Sequence, residues 1–193
     1  MRPDELLGLL DRYHERHPDE VVTTHRIRTL IIDFERAFHR DCFPGHITSS
    51  AWIVSRESGS ALLTHHRKLG RWLQLGGHVD GSADVLASAL REAQEESGLS
   101  GFRALPHGAG PMILDLDVHE IPAHGDEPAH LHHDIRFLLE VSEDQPIERQ
   151  EAESNEVRWF PALGIETRFD EESLARLARK AAGWLSRSPV GPA

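Results

Sequence analysis

Glu92, Glu95 and Glu96 fall at i, i+3 and i+4 within the stretch LREAQEESGL. On a helix that spacing puts three carboxylates on one face, where they repel each other. Ahead of them runs GGHVDGSAD, whose glycines let backbone approach a ligand closely and aim carbonyl oxygens at it. Oxygen donors of this kind suit a hard dication, Mg²⁺ or Mn²⁺. A solvated acidic stripe has the same spacing, so spacing alone leaves both readings. The helical wheel adds one distinction. Leu86, Ala89, Leu90 and Ala93 occupy the sector beside the acids, so the carboxylates border the buried face instead of opposing it.

A second set of chemically capable residues lies in HLHHDIRFLL. With a period of two, His130, His132, Asp134 and Arg136 share one strand face, and Leu131, Ile135, Phe137 and Leu139 share the other. In the preceding MILDLDVHEI, Asp115, Asp117 and His119 share a face in the same way. Pairing of the two strands across PAHGDEPA gathers these polar faces on one side. The expectation is a ligand-facing wall on which His119, His130, His132, Asp134 and Arg136 contact substrate. A polar face open to solvent and a second metal site of transition-metal type are the alternatives. Trp52 and Trp72 are candidates for stacking on a base, and core positions are the competing reading for both.

The elements that position these groups follow from periodicity. Residues 3–40 read as two helices split at Pro18, with Leu6, Leu7, Leu10 and Tyr13 on the first and Ile27, Leu30, Ile31, Phe34 and Phe38 on the second. ITSSAWIVS and SALLTHH read as a hairpin around Glu57-Ser58-Gly59, followed by the short strand RWLQL. Asp84 to Ser97 reads as helix, stopped by Gly98. The strand EVRWF follows the histidine hairpin. A last helix begins near Asp170 and carries Leu174, Leu177, Ala178, Ala181 and Trp184 on one stripe. The expected organisation is a helical extension over 1–45 packed on a main domain over 46–188, with a disordered tail over 189–193. The extension packs on the domain or on a second copy, so a homodimer is among the expectations.

The chain has 32 acidic residues against 21 Lys and Arg, a net charge of −11 that opposes binding of a nucleic-acid polymer. A small phosphorylated ligand carried in with metal is compatible with that charge. No apolar run approaches the roughly 18 residues that span a bilayer. The N-terminus makes a poor signal peptide. The single cysteine, Cys42, forms no internal disulfide, and the expectation is a cytoplasmic protein.

Gly77 to Leu99 resembles the box of the Nudix hydrolases, G-x5-E-x7-R-E-U-x-E-E-x-G-U with U bulky and apolar. Gly77, Arg91, Glu92, Glu95, Glu96, Gly98 and Leu99 stand at the required spacings, Ala93 fills the first U, and Ala83 stands where the pattern has Glu. A neighbouring acid, Asp80 or Asp84, is the candidate substitute. The resemblance implies a Nudix-type α/β/α sandwich with a mixed sheet. It implies hydrolysis of a pyrophosphate bond in a nucleoside diphosphate linked to another moiety, with Mg²⁺ or Mn²⁺ as cofactor. It makes Glu92, Glu95, Glu96 and the Gly76 carbonyl the metal ligands, and Arg91 the residue that orients a glutamate. Glu92 is a candidate base. So is a later loop carrying Glu151, Glu153 and Glu156, of which Glu153 is preferred. Cleavage of nucleoside triphosphates and a non-catalytic ligand sensor are the alternatives; the second is kept open by Ala83.

Overall fold

The computed structural model describes residues 1–185 apart from 109 and 126, with backbone alone at 107, 184 and 185. The expected tail over 189–193 and the Trp184 side chain lie outside the described residues.

In chain order come α1 (Pro3–Arg16), α2 (Val21–Asp33), β1 (Gly45–Ser55), β2 (Ala61–His66), β3 (Arg71–Leu73), β4 (Leu75–His78) and α3 (Val85–Ser97). They are followed by β5 (Arg103–Ala104), β6 (Pro106–His107), β7 (Gly110–Pro111), β8 (Ile113–Ile121), β9 (His130–Val141), β10 (Ser154–Phe160), α4 (Ile165–Arg168) and α5 (Glu172–Leu185). A 3-10 turn at Pro18–Glu20 separates the first two helices. Pro18 supplies no N–H and fixes its own φ, so the break falls where the sequence places it. The second helix is shorter than its apolar spacing predicts. It ends at Asp33, because Phe34 is extended (φ −119°, ψ 109°), and Phe34 is left exposed.

Among the described residues one sheet has eight strands, in the order β10-β2-β1-β9-β5, with β3 on β2, β4 on β1 and β8 on β9. The sheet is mixed. β1 and β9 run parallel over their whole length, from Gly45↔Leu131 to Ser55↔Val141, and the other pairings are antiparallel. Every residue of β1 is buried, as expected for a central strand covered on both faces.

Two apolar layers sandwich the sheet. On one face Ile47, Ala51, Ile53, Ile135, Phe137 and Leu139 pack with Leu6, Leu10, Tyr13 and Ile27 of the N-terminal helices and with Val85, Ala89 and Ala93 of α3. The extension therefore shares the core of the sheet. On the other face Trp52, Leu63, Leu114 and Leu138 pack under Leu174, Leu177, Ala178 and Ala181 of α5.

α3 is bounded by its own sequence. The Asp84 carboxylate accepts from the Ala87 N–H at 3.1 Å, and Gly98 takes the left-handed conformation (φ 73°) that closes the last turn. Ser49 donates from Oγ to the Val85 carbonyl at 2.7 Å and so fixes the helix start on β1.

Candidate active site

The acids of α3 meet the sheet at its tightest point. The Gly76 N–H donates to Glu96 Oε1 at 2.8 Å. A Cβ on Gly76 would lie 2.2 Å from Cβ of Ser50, and one on Gly77 would lie 2.8 Å from the Glu92 carboxyl carbon. Glycine at 77 lets the helix approach β4 this closely, and glycine at 76 lets β4 lie against β1. Gly76 and Gly77 thus form a floor beneath the two carboxylates.

The three glutamates are not equivalent. Glu96 is 4 % exposed and Glu92 9 %, whereas Glu95 is exposed. The buried face of α3 extends past the apolar sector to include both acids. Burial pushes the Glu96 carboxyl up to about 8 against the Gly76 hydrogen bond, with Glu92, Glu153 and Glu95 adding repulsion. Burial also raises Glu92; Arg91 opposes this, and Glu95 and Glu153 add to it. Buried carboxylates that repel one another are oxygen donors of the kind a divalent cation takes.

Arg91 holds the set together. Its guanidinium reaches Glu92 Oε1 at 2.9 Å and Glu95 Oε2 at 2.9 Å, and donates to the His78 carbonyl at 2.8 Å. The helix face and β4 are thereby locked in one arrangement.

The acids beside Ala83 already have partners. Asp84 caps the helix and meets the Met1 amino group. Asp80 pairs with Arg40 at 3.0 Å and lies 3.9 Å from Arg91.

In the loop before β10, the Arg67 N–H donates to the Glu153 carbonyl at 2.7 Å, which pins the backbone. The Glu153 side chain is exposed, and its charge acts on both Glu92 and Glu96. Glu151 lies 3.5 Å from Arg149, and Glu156 lies 3.3 Å from Arg158.

The histidine hairpin pairs as its periodicity predicts, with Asp115 opposite Arg136, Asp117 opposite Asp134 and His119 opposite His132. Its inner half differs from the expected ligand wall. Arg136 is 2 % exposed and saturated by Asp134 at 2.8 Å, Asp117 at 3.0 Å, Asp115 at 3.1 Å and the Ser173 hydroxyl at 2.6 Å. Asp134 accepts further from Thr48 and Ser50. α5 covers this half of the face, and Arg136 and Asp134, expected to face a substrate, form a buried ionic network beneath it. Trp52 is likewise core. Trp72 is half-buried, edge-on to Phe160 at 4.8 Å.

The outer half gathers more imidazoles than the hairpin alone supplies. His132 lies 5.2 Å from His130 and 5.5 Å from His119 between ring centroids, and His46 and His78 join them at 4.8 and 5.1 Å from His132. Sequence reading missed His46 and His78. Their signal was the parallel register that sets His46 beside His132, and the adjacency of His78 to Gly77.

Comparison with known proteins agrees with this geometry. The family model of the NUDIX domain matches residues 45–180. A NUDIX-family hydrolase from Clostridium perfringens shares 22 % identity at a TM-score of 0.54, covering 72 % of this chain and 97 % of its own. An Ap4A hydrolase from C. elegans shares 17 % at 0.51, covering 74 % and 98 %. The E. coli dihydroneopterin triphosphate pyrophosphohydrolase shares 14 % at 0.53, covering 74 % and 96 %. No curated protein matches the chain in sequence. With the domain match spanning the whole sheet and the acids of α3 seated on their glycine floor, the chain belongs to the Nudix hydrolase family.

Proposed function

We propose that this Nudix hydrolase cleaves a pyrophosphate bond in a nucleoside diphosphate linked to another moiety, with Mg²⁺ or Mn²⁺ as cofactor. One observation carries the reading: Glu92 and Glu96 are buried against Gly77 and Gly76, and Arg91 ties Glu92 to Glu95. Glu92, Glu95, Glu96 and the Gly76 carbonyl hold the divalent ions. When bound, such ions neutralise charge developing on the phosphate oxygens and acidify water.

The residues of the chain do the rest. Arg91 keeps Glu92 and Glu95 in position to hold the divalent ions. Glu153, exposed and acting on both buried acids, accepts the proton of the attacking water. The water oxygen bonds to phosphorus as the bridging P–O bond breaks, and the departing phosphate carries the negative charge.

The similar structures named above include proteins acting on Ap4A and on dihydroneopterin triphosphate, both carrying phosphoanhydride bonds. Ala83, with Asp84 capping α3 and Asp80 paired with Arg40 and near Arg91, favours a second reading, a ligand sensor with weak or no turnover.

Product analysis separates the two. The protein is incubated with ADP-ribose, NADH, dinucleoside polyphosphates, coenzyme A and nucleoside triphosphates, each with Mg²⁺, Mn²⁺ or EDTA. Metal-dependent release of nucleoside monophosphate from a linked diphosphate is the expected result. Cleavage of triphosphates alone contradicts the substrate class, and metal binding without cleavage of any compound favours the sensor.

A further inference from the structure

The imidazole group lies outside the chemistry just described and has its own geometry. His46 is 1 % exposed, and neither of its ring nitrogens has a hydrogen-bond partner among the described residues. The Cys42 backbone lies near enough to the ring to favour its protonated form, outside normal hydrogen-bond geometry. His132 Nε2 is buried and unpartnered as well. A buried histidine serving only to fill the core finds a partner for its polar atoms in most proteins.

Two neighbours are oriented by their other nitrogen. His130 donates from Nδ1 to the Pro128 carbonyl at 2.9 Å, and His119 Nδ1 lies 2.9 Å from Asp117 Oδ2. Such a bond fixes the tautomer and leaves the Nε2 lone pair free, as the outer partners of metal-bound histidines do. One ring nitrogen from each of His46, His130 and His132 lies within 4.8 Å of the other two. Tetrahedral zinc, with Zn–N bonds of about 2.0–2.1 Å, brings nitrogens to about 3.3 Å from one another. Small ring rotations close that difference.

We propose that His46, His130 and His132 form a binding site for a transition-metal dication of the Zn²⁺ class. His78 and His119, whose rings lie 5.1 and 5.5 Å from that of His132, are at hand for a fourth position, which water fills otherwise. All-imidazole donors select borderline metals, whereas the carboxylates of α3 select hard ones. The sheet separates the two sites. Successive residues of a strand point to opposite faces, so Gly77 faces Glu92 while His78 faces the imidazoles. The metal ties the start of β1 to the start of β9, next to the loop that carries the box.

The test is calorimetric titration of the chelator-treated full chain with Zn²⁺ in excess Mg²⁺, which occupies the carboxylates. We expect one Zn²⁺ per chain, lost in His130→Asn and in His132→Asn and retained in Glu96→Gln. His46 is too enclosed for its replacement to leave the fold untouched. X-ray absorption at the zinc edge of the unaltered protein therefore provides the second measurement, and a shell of at least three imidazole nitrogens is expected. No stoichiometric Zn²⁺, an oxygen-dominated shell, or loss of Zn²⁺ in Glu96→Gln with retention in both histidine variants would each overturn the site.

Discussion

Glu92 and Glu96 act through their burial, and Gly77 controls how one of them is placed. A methyl at Gly77 meets the end of the flexible Glu92 side chain, whereas one at Gly76 meets Cβ and Cα of Ser50. Gly77→Ala is therefore expected to lower kcat about tenfold or more while Tm stays within a few degrees, and Gly76→Ala to lower Tm itself. Equal thermal loss in both would refute the distinction. Divalent ion is expected to stabilise the protein through the same carboxylates. At Mn²⁺ concentrations of about 100 Kd the gain is about 2.7 kcal/mol, a rise of roughly 5–10 °C for a chain of this size. Glu96→Gln should abolish most of that rise, as scanning calorimetry with and without EDTA would show. Spacing beside a glycine turn left a solvated stripe and a metal site both open, and the resemblance to the Nudix box singled these acids out. Their unequal burial was not legible, because it depends on how closely Gly77 lets the helix come.

At the scale of elements, the hairpin β8–β9 carries two polar groupings along one face, an ionic network and a set of imidazoles. Its pairing and facing follow from period-two alternation, and the structure keeps them. What covers the face is a long-range matter: α5 arrives from the C-terminal end of the fold, and no local signal assigned it to Arg136. Removing one partner of a buried ion pair leaves charges uncompensated and costs about 3–5 kcal/mol. Arg136→Met is expected to lose stability of that order in chemical denaturation. A shift under about 1 kcal/mol would mean that the carboxylates do not depend on it. The histidines at the open end were half legible. His119, His130 and His132 follow from the hairpin, whereas His46 enters through a parallel register that spans more than eighty residues of chain.

The whole molecule is joined by one ionic hub. Asp115 accepts from Arg136, Arg176 and Lys180, and Lys180 also reaches Tyr13 and Glu20, so α1, the 3-10 turn, β8, β9 and α5 converge there. Burial alone would raise the Asp115 carboxyl, but the Arg176 hydrogen bonds and the charges of Arg136 and Lys180 hold it below the usual range. A carboxyl lowered by folding contributes stability above its unfolded value of about 3.9 and loses it as pH falls further. Unfolding free energy is expected to decline from about pH 4 downward, and less steeply in Arg176→Gln. An identical decline in both would remove the hub from the account. Among the described residues no helix is long and apolar enough to cross a membrane. The alternation of elements made a mixed α/β domain legible and the resemblance to the Nudix box made the sandwich so, while the sharing of one core between the N-terminal helices and the sheet required the structure. The central claim is metal-assisted hydrolysis at the acids of α3, and ³¹P NMR of the substrate cleaved most rapidly tests it most directly. With Mg²⁺ or Mn²⁺, the pyrophosphate resonances should give way to monophosphate products in the unaltered protein. Turnover should fall about 100-fold or more in Glu96→Gln, the loss of several kcal/mol of charge stabilisation, and should stop in EDTA. Undiminished cleavage by Glu96→Gln, or cleavage that survives EDTA, would contradict the account.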